Sequence, residues 1–139
     1  MSNEPAHVRR VREVSRANGT KMIMSFHDFH HTPGLELLNQ RFLEAERLGA
    51  DIAKVAVMPR NLDDVLTLLN ATLQSSQKLE IPLVSMSMGG YGSLTRMFGW
   101  VFGSAITFAI GGSSSAPGQV PIEDLNAVLG ILRKSVAGP

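Results

Sequence analysis

Four apolar runs of strand length, each trailed by a helical stripe, constrain this chain more than anything else in it. The runs are Lys21-Met22-Ile23-Met24-Ser25-Phe26-His27, Ile52 to Met58, Pro82 to Met88 and Ala105 to Ile110. They are nearly continuous rather than alternating, as expected when helices cover both faces of a parallel sheet. Strand and helix signals taking turns along a chain indicate βα units. The expected fold class is therefore α/β, with four parallel strands each followed by a helix.

The helical signals fill in the rest. Val8, Val11 and Val14 mark an extra N-terminal helix that stops at Asn18-Gly19. Thr32-Pro33 reads as cap and first residue of a helix carrying Leu35, Leu38, Phe42 and Ala45, closed by Gly49. Asn61 reads as the cap of a helix with Leu62, Val65, Leu66, Leu69 and Leu73 on one stripe. A glycine turn leads into a helix from about Ser93 to Phe102. The last helix starts near Pro121 and is expected to bury Leu125, Val128, Leu129 and Leu132. No linker or repeat divides the chain, so residues 1–139 read as a single domain.

Charge and composition remove several functions. Lys+Arg number 13 against 12 Asp+Glu, a net charge of +1, which is no footprint for nucleic acid. With no cysteine, disulfides, thiolate metal sites and thiol catalysis are excluded. The opening MSNEPAHVRR has no apolar core behind its charges, and the apolar stretch from Val101 to Gly112 is shorter than the ~20 residues of a spanning helix. A cytoplasmic protein with no membrane partner is expected. Only 18% of residues are charged while 44% are apolar, so the chain has more to bury than a small monomer needs.

In βα folds functional groups gather at the carboxyl ends of strands and in the loops that follow. Lys54 stands within Ile52-Ala53-Lys54-Val55-Ala56-Val57-Met58, among apolar neighbours only. Burial disfavours a charged amine, so such a lysine is available in its neutral form as a nucleophile toward carbonyls. It reads equally as a lysine snorkelling to water or pairing with a carboxylate. His27 ends the first run and suits general acid/base work, or is a satisfied histidine at a strand end. Arg96, after Gly89-Gly90-Tyr91-Gly92-Ser93, is either a bidentate clamp for a carboxylate or an exposed helix arginine. Ser113 to Gln119 is a flap bearing Ser115 and Gln119 as hydrogen-bonders, or a flexible connection. His27, Asp28, His30 and His31 lack a recognised ligand spacing, so no metal is expected, and His30 and His31 read as loop surface.

Taken together, four stretches in register resemble type I 3-dehydroquinate dehydratase. They are Ser25-Phe26-His27-Asp28-Phe29 with Thr32-Pro33, Gly49 through Pro59, Ser87-Met88-Gly89 through Arg96, and Ser115-Ala116-Pro117-Gly118-Gln119. The likeness covers nearly the whole chain, yet 139 residues are about half of a (β/α)8 barrel of ~250. It implies the second half of such a TIM barrel; four strands cannot close a barrel and leave two unpaired edges, so a half-barrel completed by homodimerisation is expected. By resemblance, the enzyme is a cofactor-free lyase of the shikimate pathway and aromatic amino acid biosynthesis. It would convert 3-dehydroquinate to 3-dehydroshikimate through a Schiff base on Lys54, with His27 as general acid/base. Arg96 would hold the substrate carboxylate, Ser115 and Gln119 would close over it, and Met88 and Phe108 would line the pocket. The family's glutamate that pairs with the histidine, and its other hydroxyl-binding groups, belong to the first half and have no counterpart here. The expectation is an enzyme weakened or inactivated by that lack. The alternative is a non-catalytic binding or regulatory homologue that keeps fold and pocket. A class I aldolase is disfavoured by the His27-to-Lys54 register and the Ser-Ala-Pro-Gly-Gln loop.

Overall fold

A computed structural model describes residues 4–136. Helix α1 (Pro5–Ala17) is followed by β1 (Ile23–Asp28), α2 (Leu35–Arg47), β2 (Ile52–Val57), α3 (Leu62–Ser76), β3 (Leu83–Ser87), α4 (Gly89–Phe98) and α5 (Ile122–Val136), with a 3₁₀ turn over Gly99–Phe102. The three strands are parallel in the order β1-β2-β3. No helix among the described residues is long and apolar enough to cross a membrane.

Local chemistry explains where several elements stop and start. Gly19 adopts φ 64°, and the amides of Gly19 and Thr20 reach back to the carbonyls of Arg16 and Ser15, 3.1 and 2.8 Å away. These are the two bonds of a Schellman cap, and they end α1 where Asn18-Gly19 predicts. Asn61 caps α3 as expected, its Oδ1 accepting from the Asp64 amide at 2.9 Å. Helix α2 differs from expectation: its cap is Gly34, not Thr32. The Thr32 hydroxyl instead donates to the carbonyl of Met58 at 3.1 Å, tying the loop after β1 to the end of β2.

The buried face of α3 is also rotated from the expected stripe. Val65 and Leu69 are buried, but Leu62, Leu66 and Leu73 are exposed, and Leu68, Ala71, Thr72 and Ser75 take their place. Small and hydroxyl-bearing residues let the helix approach the sheet closely. The Thr72 hydroxyl bonds both the Leu68 carbonyl and the Ser85 hydroxyl, each at 2.7 Å. Helix α4 begins at Gly89, earlier than the expected Ser93, and α5 fully buries Leu125 alone of its four expected core residues.

The principal correction concerns the fourth strand. Ala105 to Ile110 forms no strand; it touches the sheet through a bridge between Leu83 and Ser104, with the Ala105 amide donating to the Leu83 carbonyl at 2.8 Å. The Ser104 hydroxyl accepts the Ser85 amide at 3.0 Å, a donor that a paired strand would have used. Beyond it, the polar groups of the segment turn to α4. The Thr107 hydroxyl donates to the Arg96 carbonyl, and the Phe108 carbonyl accepts from the Arg96 guanidinium. Ile110 then pairs with Pro121 instead of with β3.

The sheet has two unequal faces. One carries Met24, Phe26, Ala53, Val55, Val57 and Leu83, and packs under α2 and α3 on Leu38, Phe42, Ala45, Leu68 and Ala71. The opposite face holds a smaller cluster, Ala56, Val84 and Met86 with Ile52 beside it. The continuous apolar runs predict two fully covered faces. All of β3 meets that expectation, whereas β1, at the edge, leaves Ile23 and His27 exposed.

Candidate active site

Side chains in a strand alternate between faces, so register decides which groups meet. Ser25, Lys54 and Val84 are register partners across the three strands, and His27, Ala56 and Met86 form the next such row. All six therefore share the thinly covered face. Lys54 is the third residue of β2 and lies mid-strand, not at the strand end. His27 stands two residues farther along on β1, ~6.6 Å nearer the carboxyl end.

Lys54 is half-buried, and its Nζ lies 5.0 Å from the centroid of the Phe108 ring, a cation–π distance. It also lines a cleft of about 300 Å³ at the open edge of β1, with Ser25, Phe26, Arg41 and Glu44. A larger concavity, about 720 Å³, lies elsewhere, along α1 beside Val11, Val14 and Thr20. It is an open trough that His7, Arg10, Ser15 and Asn18 also line, and neither Lys54 nor His27 borders it.

The imidazole of His27 stacks on Phe29 with centroids 5.7 Å apart and planes 10° from parallel. Its pKa is lowered from 6.5, first by partial burial and second by the positive charge of Lys54. A neutral imidazole near neutrality is the form that accepts a proton. Among the described residues no carboxylate pairs with it. Neighbouring Asp28 points its charge the other way, accepting the amides of His30 and His31 at 2.9 and 3.0 Å and pairing with His31 Nδ1 at 3.1 Å. Burial alone would raise the Asp28 pKa; those amides and the two histidines outweigh it and hold it below the ordinary value. His30 and His31 lie on the surface, and no group of three metal-binding side chains gathers among the described residues.

Arg96 is not the exposed helix arginine that the sequence allows. It is 2% exposed, the largest fully buried side chain described. One terminal nitrogen donates to the Phe108 carbonyl at 3.3 Å and lies 3.8 Å from Met86 Sδ; the other donates to the Pro117 carbonyl at 3.2 Å. Nε has no partner, and no carboxylate neutralises the group among the described residues. Burial pushes its pKa down from the arginine value. Through Met86, this uncompensated guanidinium borders the row that holds His27.

The remaining predicted residues are placed unequally. Met88 is buried at the start of α4, its amide donating to the Val57 carbonyl at 2.8 Å. Ser115 is exposed and Gln119 half-buried, and they bond each other: Gln119 Oε1 accepts the amides of Ser115 and Ala116 at 2.8 and 3.2 Å, while Nε2 donates to the Ser115 hydroxyl at 3.1 Å. Among the described residues the hydrogen bond that ties their loop to Arg96 is the one to the Pro117 carbonyl. Two residues that sequence reasoning passed over also belong here. Ser25 faces Lys54 across β1–β2, and Met86 touches Arg96. Their positions two residues before His27 and two before Met88 carry the only signal, a shared face.

Residues 1–136 match the family model described as type I 3-dehydroquinase. The chain is 67% identical over 136 residues to a 3-dehydroquinate dehydratase of Albidiferax ferrireducens, covering 98% of this chain and 52% of the relative. A crystal structure of 3-dehydroquinate dehydratase from Geobacillus kaustophilus superposes with a TM-score of 0.91 at 50% identity, over 92% of this chain and 50% of that one. Another, type I 3-dehydroquinate dehydratase from Clostridium difficile with covalently modified comenic acid, gives 0.90 at 41% identity over 95% and 52% of the two chains. The chain thus spans about half the length of the relatives it matches. A family model matched over all but the last three of 139 residues leaves one conclusion: the chain belongs to the type I 3-dehydroquinase family.

Proposed function

We propose that this chain carries the lysine- and histidine-bearing half of a 3-dehydroquinate dehydratase site. The observation that carries the reading is the shared face of Lys54 and His27, bordered by a buried Arg96 that lacks a carboxylate. A substrate carboxylate supplies the missing countercharge, bound bidentately.

The steps follow from that placement. Lys54, once it has released a proton to solvent, adds as the amine to the substrate ketone, and loss of water leaves an imine. Protonated, the imine withdraws electrons from the adjacent carbon more strongly than the ketone does. His27, held neutral, takes a proton from that carbon, and the C–H pair becomes the enamine double bond. The enamine then expels the β-hydroxyl, which leaves as water with the proton returned by His27. Hydrolysis of the conjugated imine restores Lys54 and releases the enone. Phe108 covers Lys54, Met88 lines the pocket, and Ser115 with Gln119 closes the mouth.

The lack of a carboxylate beside His27 favours a second reading, a non-catalytic homologue that binds the ligand without turning it over. Orientation and basicity supplied by such a partner form a substantial part of acid/base catalysis. One experiment separates the two. The protein is incubated with 3-dehydroquinate and borohydride, adducts are sought on Lys54 by mass spectrometry, and enone absorbance is followed in parallel. Adduct with turnover supports the lyase, adduct without turnover the binding homologue, and no adduct sinks the Schiff-base reading.

We further propose that two copies associate to complete the barrel. The open edge of β1, its exposed Ile23 and the thin cover over the Lys54 face support this. Light scattering on an eluting size-exclusion peak is expected to give a dimer mass; a folded monomer would overturn it.

A further inference from the structure

The loop after residue 112 is held at two backbone points. Pro117 lends its carbonyl to Arg96 at 3.2 Å. The next residue, Gly118, adopts φ 78° and lies flat against the first residue of α4. A Cβ at Gly118 would sit 2.1 Å from the Gly89 carbonyl oxygen, 3.0 Å from its carbon and 3.2 Å from its nitrogen. Every one of those neighbours is backbone, which cannot swing aside as a side chain would. Gly89 itself has φ 71°, so the contact joins two residues in the left-handed region. On either side of it hang Ser115 and Gln119, locked to each other, and the same guanidinium that grips Pro117 also grips Phe108 over Lys54.

We propose that Gly118 is a positioning residue: its bare backbone seats the loop on Gly89, holding Ser115 and Gln119 over the Lys54 face so that ligand is retained. The inference rests on the dehydratase reading of that face. Gly118 touches neither Lys54 nor His27, so it governs ligand retention and not imine chemistry.

The test compares the full chain with Gly118→Ala, Gly118→Asn and Gly112→Ala. Asn tolerates positive φ, so it keeps the clash while relieving the strain. Gly112 has open space around it and controls for loop substitution in general. Amide hydrogen exchange is expected to quicken about tenfold or more over residues 113–119 in both position-118 variants and to stay at the parent rate in Gly112→Ala, with β1–β3 amides protected throughout. Unchanged loop exchange in Gly118→Asn would overturn the proposal. In borohydride trapping with 3-dehydroquinate, the half-saturating concentration should rise about tenfold for both variants while the limiting trapping rate holds. A fall in limiting rate with unchanged half-saturation would also overturn it. If the parent chain itself forms no adduct, the dehydratase reading fails on its own, and the exchange pattern still decides whether Gly118 seats the loop.

Discussion

The side-chain nitrogen of Lys54 lies 5.0 Å from the centroid of the Phe108 ring, and the carbonyl of Phe108 is held by Arg96 at 3.3 Å. The buried cation Arg96 thus positions the ring that lies over half-buried Lys54.

Removing the ring should separate cover from stability. Phe108 is 39% exposed, so Phe108→Ala is expected to lower unfolding free energy by about 2 kcal/mol, less than truncation of a fully buried ring. Trapping of 3-dehydroquinate on Lys54 should fall several-fold, because water replaces the ring over the nitrogen. Denaturant titration and adduct mass spectrometry read the two effects.

Arg96 should be costly to truncate and cheaper to replace by an apolar chain. Arg96→Ala leaves a cavity and deprives the carbonyls of Phe108 and Pro117 of their donor, for about 2–4 kcal/mol in chemical denaturation. Arg96→Met fills the space without an unpaired charge and is expected to recover at least half of that. Neither variant should bind the substrate carboxylate. Arg96→Lys keeps the charge but cannot fork to two carbonyls, so it should remain well below the parent in affinity.

The pH dependence has a definite sign at His27. Its folded pKa lies below the unfolded 6.5, so between the two values the unfolded chain binds more protons. This contribution to stability is full above 6.5 and is lost as pH falls through the folded value. His27→Gln should flatten that limb. Burial is the larger cause and Lys54 the second, so Lys54→Met should move the His27 titration upward in NMR yet leave it below 6.5.

Asp51 anchors α1 to the start of β2. It accepts from the Arg12 guanidinium and from the Met22 amide at 2.7 Å, with Lys21 Nζ 3.7 Å away, and its pKa is held at about 2. The Arg12 hydrogen bond is the largest cause. The stability it contributes is present above 3.8 and is lost as pH falls through about 2. Asp51→Asn should speed amide exchange in α1 at neutral pH while leaving β2 and β3 protected.

Much of this architecture was legible along the chain because its causes are local. The Asn18-Gly19 stop, the Asn61 cap and the first three strands each arise from a few adjacent residues: a glycine able to take φ 64°, a side-chain acceptor for a free amide, an apolar run of strand length. Lys54 was visible for the same reason, a single cation among apolar neighbours.

What the tertiary structure alone decided depended on competition between distant partners. Ala105 to Ile110 has the composition of a strand, yet Ser104 takes the Ser85 amide and Arg96 takes the Phe108 carbonyl, so the segment follows α4 and leaves β3. Arg96 looks like a surface residue by its helix position. It is buried because the loop and the segment before it fold over it and offer carbonyls. Hydrogen-bonding groups take whichever partner the fold brings nearest, and that choice is made across ten to twenty residues of chain, beyond the reach of any local pattern.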